Sequence, residues 1–252
     1  MESLEIPYNI LSSEKSLDSE MKNVFKSINK NPVPHIILVS KGVFSKNGSR
    51  NILKKRSEIS REMAISKILE LIGKEDIVIS TTGKSSRELY EVRSKLGHNV
   101  DNDLRIIGSM GHVSSVALGI NQNVSDRLIF CLDGDGSVIM HMGSMSTIGK
   151  YSNNNFKHIL LNNFSHESVG GQETSSDCID FGELSNSLSY KSYFKISSYS
   201  EFNSIFENFK VSPGPSFLEI ILSSFSRADL SRPLTTPQEN KKQFMSFLEN
   251  GK

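Results

Sequence analysis

Cys131-Leu-Asp-Gly-Asp-Gly-Ser137 and, downstream, Leu161-Asn-Asn-Phe-Ser165 decide how this chain is read. Arg127 to Asp133 (RLIFCLD) is a short apolar run, long enough for a buried strand. It runs into Gly134-Asp135-Gly136, where glycine lets the backbone turn sharply and approach a ligand. A helix-like pattern follows, and the segment HILLNN, ending in Asn162-Asn163, reads as a second buried strand. Two strand ends of a parallel sheet therefore carry an Asp and an Asn side by side. In open α/β sheets, ligands bind at the carboxyl ends of strands. An Asp, an Asn and a loop carbonyl are hard oxygen ligands, suited to Mg²⁺ or Ca²⁺ holding a diphosphate.

Working outward, the pattern stays strand then helix. Ser60 is the expected N-cap of a helix with Met63, Ile65, Ile68, Leu69 and Ile72 inward, ended by Gly73. Asp76–Ser80 is the next strand, feeding the small, hydroxyl-rich turn Thr81-Thr-Gly-Lys-Ser-Ser-Arg87 and a helix through Leu96. Such a turn can present N–H groups to an anion. Leu104–Ile107 is a strand, followed by Gly108-Ser-Met-Gly-His112 and a small-residue helix in which Leu118-Gly119 is expected to pack. Met142 and Met145, in one helix after Gly-Asp-Gly, read as core. After Asn163 a polar loop, Phe164 to Thr174, should cover the bound group. Asp180 caps a helix to Tyr190, Tyr193–Ser197 is a strand, and Ser200 caps a helix with Phe202, Ile205, Phe206 and Phe209 inward. Phe217–Leu222 is the last strand, and a tail ends in an amphipathic helix carrying Phe244, Met245, Phe247 and Leu248. The fold class is α/β, a parallel sheet with helices on both faces.

The paired motifs resemble the signature of the thiamine-diphosphate-dependent decarboxylases and carboligases. That resemblance implies a diphosphate-binding fold over residues 58–252, holding thiamine diphosphate and Mg²⁺. Asp135, the side chain of Asn163 and the carbonyl of Ser165 would hold the metal. Thr82, Gly83, Gly108, Ser109 and Met110 would meet the cofactor, with Gly134, Asp135, Gly136, Ser137 and Asn163. Met110 is either the apolar support beneath the cofactor or ordinary core. Lys84 and Arg87 are candidates for an anionic substrate group, or solvent-facing first-turn residues. His166 and His112 are the candidate catalytic histidines, each with a local structural role as the other reading. Thr81–Leu89, Gly108–His112, His166…Gly170-Gly-Gln172 and the tail resemble the branch of the family acting on phosphonate- or sulfonate-bearing 2-oxo acids. Arg227 and Arg232 would then meet the anionic end, or form ion pairs.

Residues 1–45 resemble, loosely, the last helix (Leu17 to Ile28) and strand (His35 to Ser40) of a pyrimidine-binding domain, with 46–57 a linker. The family's activating glutamate comes from that domain, and none here sits in its motif. The expectation is the diphosphate-binding half of a split or truncated decarboxylase of 3-phosphonopyruvate, inactive alone and needing a pyrimidine-domain partner subunit in an oligomer. Sulfopyruvate decarboxylation, acetolactate-synthase-like carboligation and a non-catalytic cofactor-binding subunit remain open. The 252 residues carry a net charge of +1 with scattered basic groups, which asks for no nucleic-acid or membrane partner. Two cysteines make no disulfide framework, and Cys131 reads as a small buried hydrophobe. With neither a signal peptide nor a long apolar run, the expectation is a cytoplasmic protein.

Overall fold

A computed structural model describes residues 1–13, 16–44, 56–224 and 226–250. The chain divides into two compact units, Met1–Asn51 and Ile52–Lys252. Residues 46–55 of the expected linker lie outside the described residues. Arg56 and Ser57, also expected there, belong to the second unit: Arg56 lies over the Phe164 ring, and Ser57 is buried, its hydroxyl accepting from Ile59 N–H.

In the first unit, β1 (Tyr8–Leu11), α1 (Leu17–Lys30) and β2 (Ile36–Val39) form one strand–helix–strand turn. The strands pair in parallel, Tyr8 opposite Ile36 through Leu11 opposite Val39. Sequence reading foresaw the helix and the second strand but not β1, whose Tyr8-Asn9-Ile10-Leu11 is interrupted by a polar residue where Ile36–Val39 is wholly apolar.

The second unit opens with α2 (Arg61–Leu71), whose first-turn amide at Met63 donates to the Ser60 hydroxyl. Arg61, Ala64, Ile65, Ile68 and Leu69 form its buried stripe. Met63, expected inward, is 41% exposed, because the helical repeat turns it off that stripe. Then follow β3 (Ile77–Ser80), α3 (Lys84–Lys95), β4 (Asp103–Arg105), α4 (Val113–Asn121) and β5 (Ile129–Gly134). One helix was expected next. Instead α5 (Asp135–Met140) and α6 (Ser144–Tyr151) are separated by a turn through His141–Gly143, glycine being a poor helix former. The rest is β6 (Phe156–Asn162), α7 (Phe181–Ser187), β7 (Ser192–Ile196), α8 (Phe202–Val211), β8 (Ser216–Ile221) and α9 (Pro237–Asn250).

Six strands form one parallel sheet in the order β4-β3-β5-β6-β8-β7. Both faces are covered, which is why β5, β6 and β8 are almost continuously buried. One face packs Ile65, Ile68, Leu89, Phe202, Phe206 and Phe209. The other packs Val113, Ala117, Met145, Ile148, Phe181 and Phe244. Burying each phenylalanine contributes roughly 1.5–3 kcal/mol. Met145 is core as expected, whereas Met142 is only partly buried and Met245 is 45% exposed. Lys157 sits inside this sheet, fully buried, its ammonium donating to the carbonyls of Phe209 and Ser212 at the end of α8. A cation there satisfies C-terminal carbonyls that the helix leaves open.

The capping of α8 differs from expectation. Ser198 and Glu201 form a reciprocal capping box on the turn that leads into the helix, so Ser198 and not Ser200 starts it. Gly119 is exposed with nothing near its missing Cβ, so it does not pack. Gly149 does: a Cβ there would lie 1.7 Å from the Leu188 carbonyl oxygen, so α6 approaches the 188–189 backbone, not the sheet.

Candidate cofactor site

The chain leaves β3 toward β4 on one side, while β5 flanks β3 on the other. Strand order thus reverses between β3 and β5, which opens a crevice at their carboxyl ends. A pocket of about 90 Å³ lies there. That is below the roughly 300–1,000 Å³ of whole-ligand pockets and suits the anchored end of a larger molecule. Thr81 and Thr82 after β3, Gly134–Ser137 after β5, and Asn163 and Ser165 after β6 line it.

These strand ends are tied together by hydroxyls. Thr81 Oγ1 donates to Ser137 Oγ at 3.2 Å, and Gly111 N–H donates to the same oxygen at 3.1 Å. Thr174 and Ser176 donate to Asp135 Oδ2 at 2.5 and 3.2 Å. Ser176 Oγ also reaches Asn162 Oδ1 at 3.2 Å, and Asn162 donates to Glu219 at 2.7 Å. Asn162 therefore holds the sheet, and its neighbour Asn163 faces the pocket. Burial pushes the Asp135 carboxyl above its ordinary range, although the Thr174 and Ser176 bonds pull the other way. A bound cation would remove that penalty.

Asp135, Asn163 and the Ser165 backbone form a hard oxygen donor set. Ser165 Oγ is buried without a hydrogen-bond partner, so the pocket floor holds an unused polar atom. A Cβ on Gly136 would lie 2.8 Å from two ring atoms of His166 and 3.2 Å from Met110 Cε. Only glycine lets both side chains close over the turn. On donor chemistry and shape, these residues fit a metal-bound diphosphate.

Arg61, Lys84 and Glu167 line the pocket as a charged cluster, with Glu88 behind Arg61 and outside the lining. Arg61 holds Glu88 through Nε at 2.7 Å and Nη2 at 3.1 Å, and Glu167 through Nη1 at 3.0 Å. Lys84 holds Glu167 at 2.9 Å, and Ser226 donates to the same carboxylate at 2.6 Å. Burial works against the Glu167 charge, but Arg61, Ser226 and Lys84 outweigh it and hold the carboxyl below its ordinary value. Arg61 likewise stays above the ordinary arginine value, because Glu88 and Glu167 outweigh its burial.

Of the sequence-derived candidates, Thr82, Lys84, Met110, Gly134, Asp135, Gly136, Ser137, Asn163, Ser165 and His166 meet at this pocket. Gly83 and Arg87 line a neighbouring cavity instead. Gly108 and Ser109 are exposed in a left-handed turn and reach the site only through Gly108 N–H, which donates to Thr82 Oγ1. His112 is exposed and outside the pocket, its ring 4.1 Å from that of His141. Arg227 is ion-paired with Glu62, Glu91 and Asp229, the second of its two sequence readings. Sequence reading missed Arg61 and Glu167. The only signal for Glu167 was an acidic residue four positions after Asn163 in a polar loop; Arg61 gave none.

A parallel sheet whose switch point carries Gly-Asp-Gly and Asn-Asn strand ends defines a class of cofactor-binding domain. Residues 81–220 match the thiamine pyrophosphate enzymes' C-terminal TPP binding domain, and the chain belongs to that family. Among curated proteins it is 31% identical to a phosphonopyruvate decarboxylase of Streptomyces viridochromogenes over 189 residues, 75% of this chain and 46% of the relative. It is 38% identical over 110 residues to a sulfopyruvate decarboxylase subunit beta of Methanocaldococcus jannaschii, covering 44% of this chain and 55% of that one. The chain thus spans about half the length of these relatives. Among the described residues, no helix is long and apolar enough to cross a membrane.

Proposed function

We propose that this chain is the diphosphate-binding half of a thiamine diphosphate- and Mg²⁺-dependent decarboxylase, turning 3-phosphonopyruvate into phosphonoacetaldehyde and CO₂. The observation that carries this reading is the oxygen set of Asp135, Asn163 and Ser165 around a pocket closed by Met110 and His166. Loss of CO₂ from a 2-oxo acid needs a sink for the electron pair, which thiamine diphosphate supplies when bound. This chain's residues anchor and orient. Asp135, Asn163 and the Ser165 carbonyl would hold Mg²⁺; the Thr82 and Ser137 hydroxyls and the glycines line the diphosphate end. Met110 would support the cofactor, and His166 would hold or move a proton or bind substrate. Lys84 and Arg61 give the pocket a positive wall, balanced by Glu167.

The activating glutamate would come from a pyrimidine-binding domain. A partner subunit carrying that domain would complete the site at a chain interface. The subunit-beta relative supports such a division, and it also favours a second reading, sulfopyruvate as substrate, because its identity to this chain is higher over a shorter stretch. A CO₂-release assay on both substrates, with thiamine diphosphate and Mg²⁺, tests the proposal. The chain should be inactive alone and active when mixed with a pyrimidine-domain chain. Cofactor binding by that mixture without turnover of either acid would refute it.

A further inference from the structure

The Thr82 wall of the cofactor pocket also bounds a second cavity, of about 400 Å³. Three arginines line it: Arg87 from the first turn of α3, Arg105 from the end of β4, and Arg232 from the segment before α9. Among the described residues, no aspartate or glutamate lines it.

The pairing of these arginines differs from that of others in the unit. Arg61, Arg93 and Arg227 each hold a carboxylate within 3.0 Å. Arg105 is 5% exposed, yet its guanidinium donates only to neutral groups, the Val100 carbonyl at 3.3 Å and Thr235 Oγ1 at 3.0 Å, and lies over the Tyr90 ring. Burial depresses its pKa below the ordinary arginine value, and the opposing pulls of Asp103, Tyr90 and Asp101 do not restore it. Asp103 is itself gripped by Arg93 through three contacts of 2.9–3.1 Å. Among the described residues, no ion pair joins Arg87 or Arg232 to a carboxylate. Grouping three cations with no carboxylate in the lining, and only the more distant Asp103 and Asp101 acting on Arg105, costs free energy through repulsion and, for Arg105, desolvation. An oxyanion in the cavity would offset that cost, since the guanidinium fork matches phosphonate, phosphate and sulfonate oxygens.

We propose that this cavity is a second oxyanion site, separate from the diphosphate pocket, binding a phosphonate, phosphate or sulfonate group through Arg87, Arg105 and Arg232. The oxyanion has two conceivable sources, the far end of the 2-oxo acid or a free oxyanion. The first source rests on the decarboxylase reading; the site itself does not.

Inorganic phosphate is the probe, titrated calorimetrically into the full chain at fixed ionic strength. Binding should be saturable and fall at least tenfold in Arg87→Gln and in Arg232→Gln, while Asp135→Ala retains it. Both side chains reach solvent, so the fold should survive, with unchanged Tm as the check; Arg232→Gln suffices if Arg87→Gln lowers Tm. Phosphonopyruvate displacing phosphate in wild type identifies the substrate as the source, and failure to displace identifies a free oxyanion. Phosphate affinity unchanged in the arginine variants, or lost in Asp135→Ala instead, overturns the proposal. Thiamine diphosphate binding, measured on the same samples, reports separately on the decarboxylase reading.

Discussion

Substituting Gly136 by alanine tests whether the pocket is closed as described. Gly136 is the second residue of α5, where alanine would gain up to about 1 kcal/mol of helix propensity. Against this, the new methyl would lie 2.8 Å from His166 Cε1 and Nδ1 and 3.2 Å from Met110 Cε. Comfortable contact is about 3.5–4.0 Å, so the imidazole must retreat by about an ångström. The Met110 thioether yields easily, but the His166 backbone is pinned by three hydrogen bonds, its N–H to Gln172 at 2.8 Å and its carbonyl to Val169 and Gly171 N–H at 3.1 and 3.0 Å. Overpacking of this kind costs about 1–3 kcal/mol. The net change is therefore between zero and a loss of about 2 kcal/mol, or up to about 8 °C in Tm. Gly119→Ala is the control, an exposed helical glycine with open space around it, and should gain up to about 1 kcal/mol. Urea denaturation of the three proteins measures the gap. Displacing His166 and Met110 should also weaken thiamine diphosphate at least tenfold by calorimetry. If Gly136→Ala gains as much stability as Gly119→Ala, the two side chains do not close over the turn and the reasoning fails.

Gly149→Ala should lose about 1–3 kcal/mol or more despite a better helix propensity, because the Leu188 backbone leaves no room; an unchanged denaturation midpoint would contradict the packing. Glu167→Gln should cost about 1.5–3 kcal/mol by weakening charged bonds to Arg61 and Lys84, and a thermal melt equal to wild type would show the cluster to be dispensable. Burial pulls the Lys157 ammonium from 10.5 down to about 8. Between those values the unfolded chain binds more protons than the folded one, so this lysine makes stability rise with pH across that window. The rise should disappear in Lys157→Met, and equal urea midpoint trends at pH 7.5 and 10 in both proteins would count against it.

How much was legible follows from what each feature depends on. The parallel sheet was legible because β5, β6 and β8 are covered on both faces and so read as unbroken apolar runs. Asp135 and Asn163 were legible because each directly follows such a run, so the fold brings their strand ends together. The Ser198–Glu201 box was present in the letters and was passed over for Ser200, two residues later. The Arg61–Glu167 pair was not legible: its partners are 106 positions apart, and only the crossover of α2 onto the sheet brings them together. The Arg227 contacts have the same origin, a tail residue meeting Glu62 and Glu91 from helices far upstream. Strand β1 escaped because Asn9 breaks its short apolar run, whereas the equally short β2 is apolar throughout.

The most direct test of the central claim is calorimetric titration of thiamine diphosphate into the purified chain with Mg²⁺, with EDTA, and in Asp135→Ala. Saturable binding that needs Mg²⁺ and disappears in the variant is the predicted result. Binding that persists in EDTA, or that is unchanged in Asp135→Ala, would contradict the assignment of Asp135, Asn163 and Ser165 as the metal-bound anchor of the diphosphate.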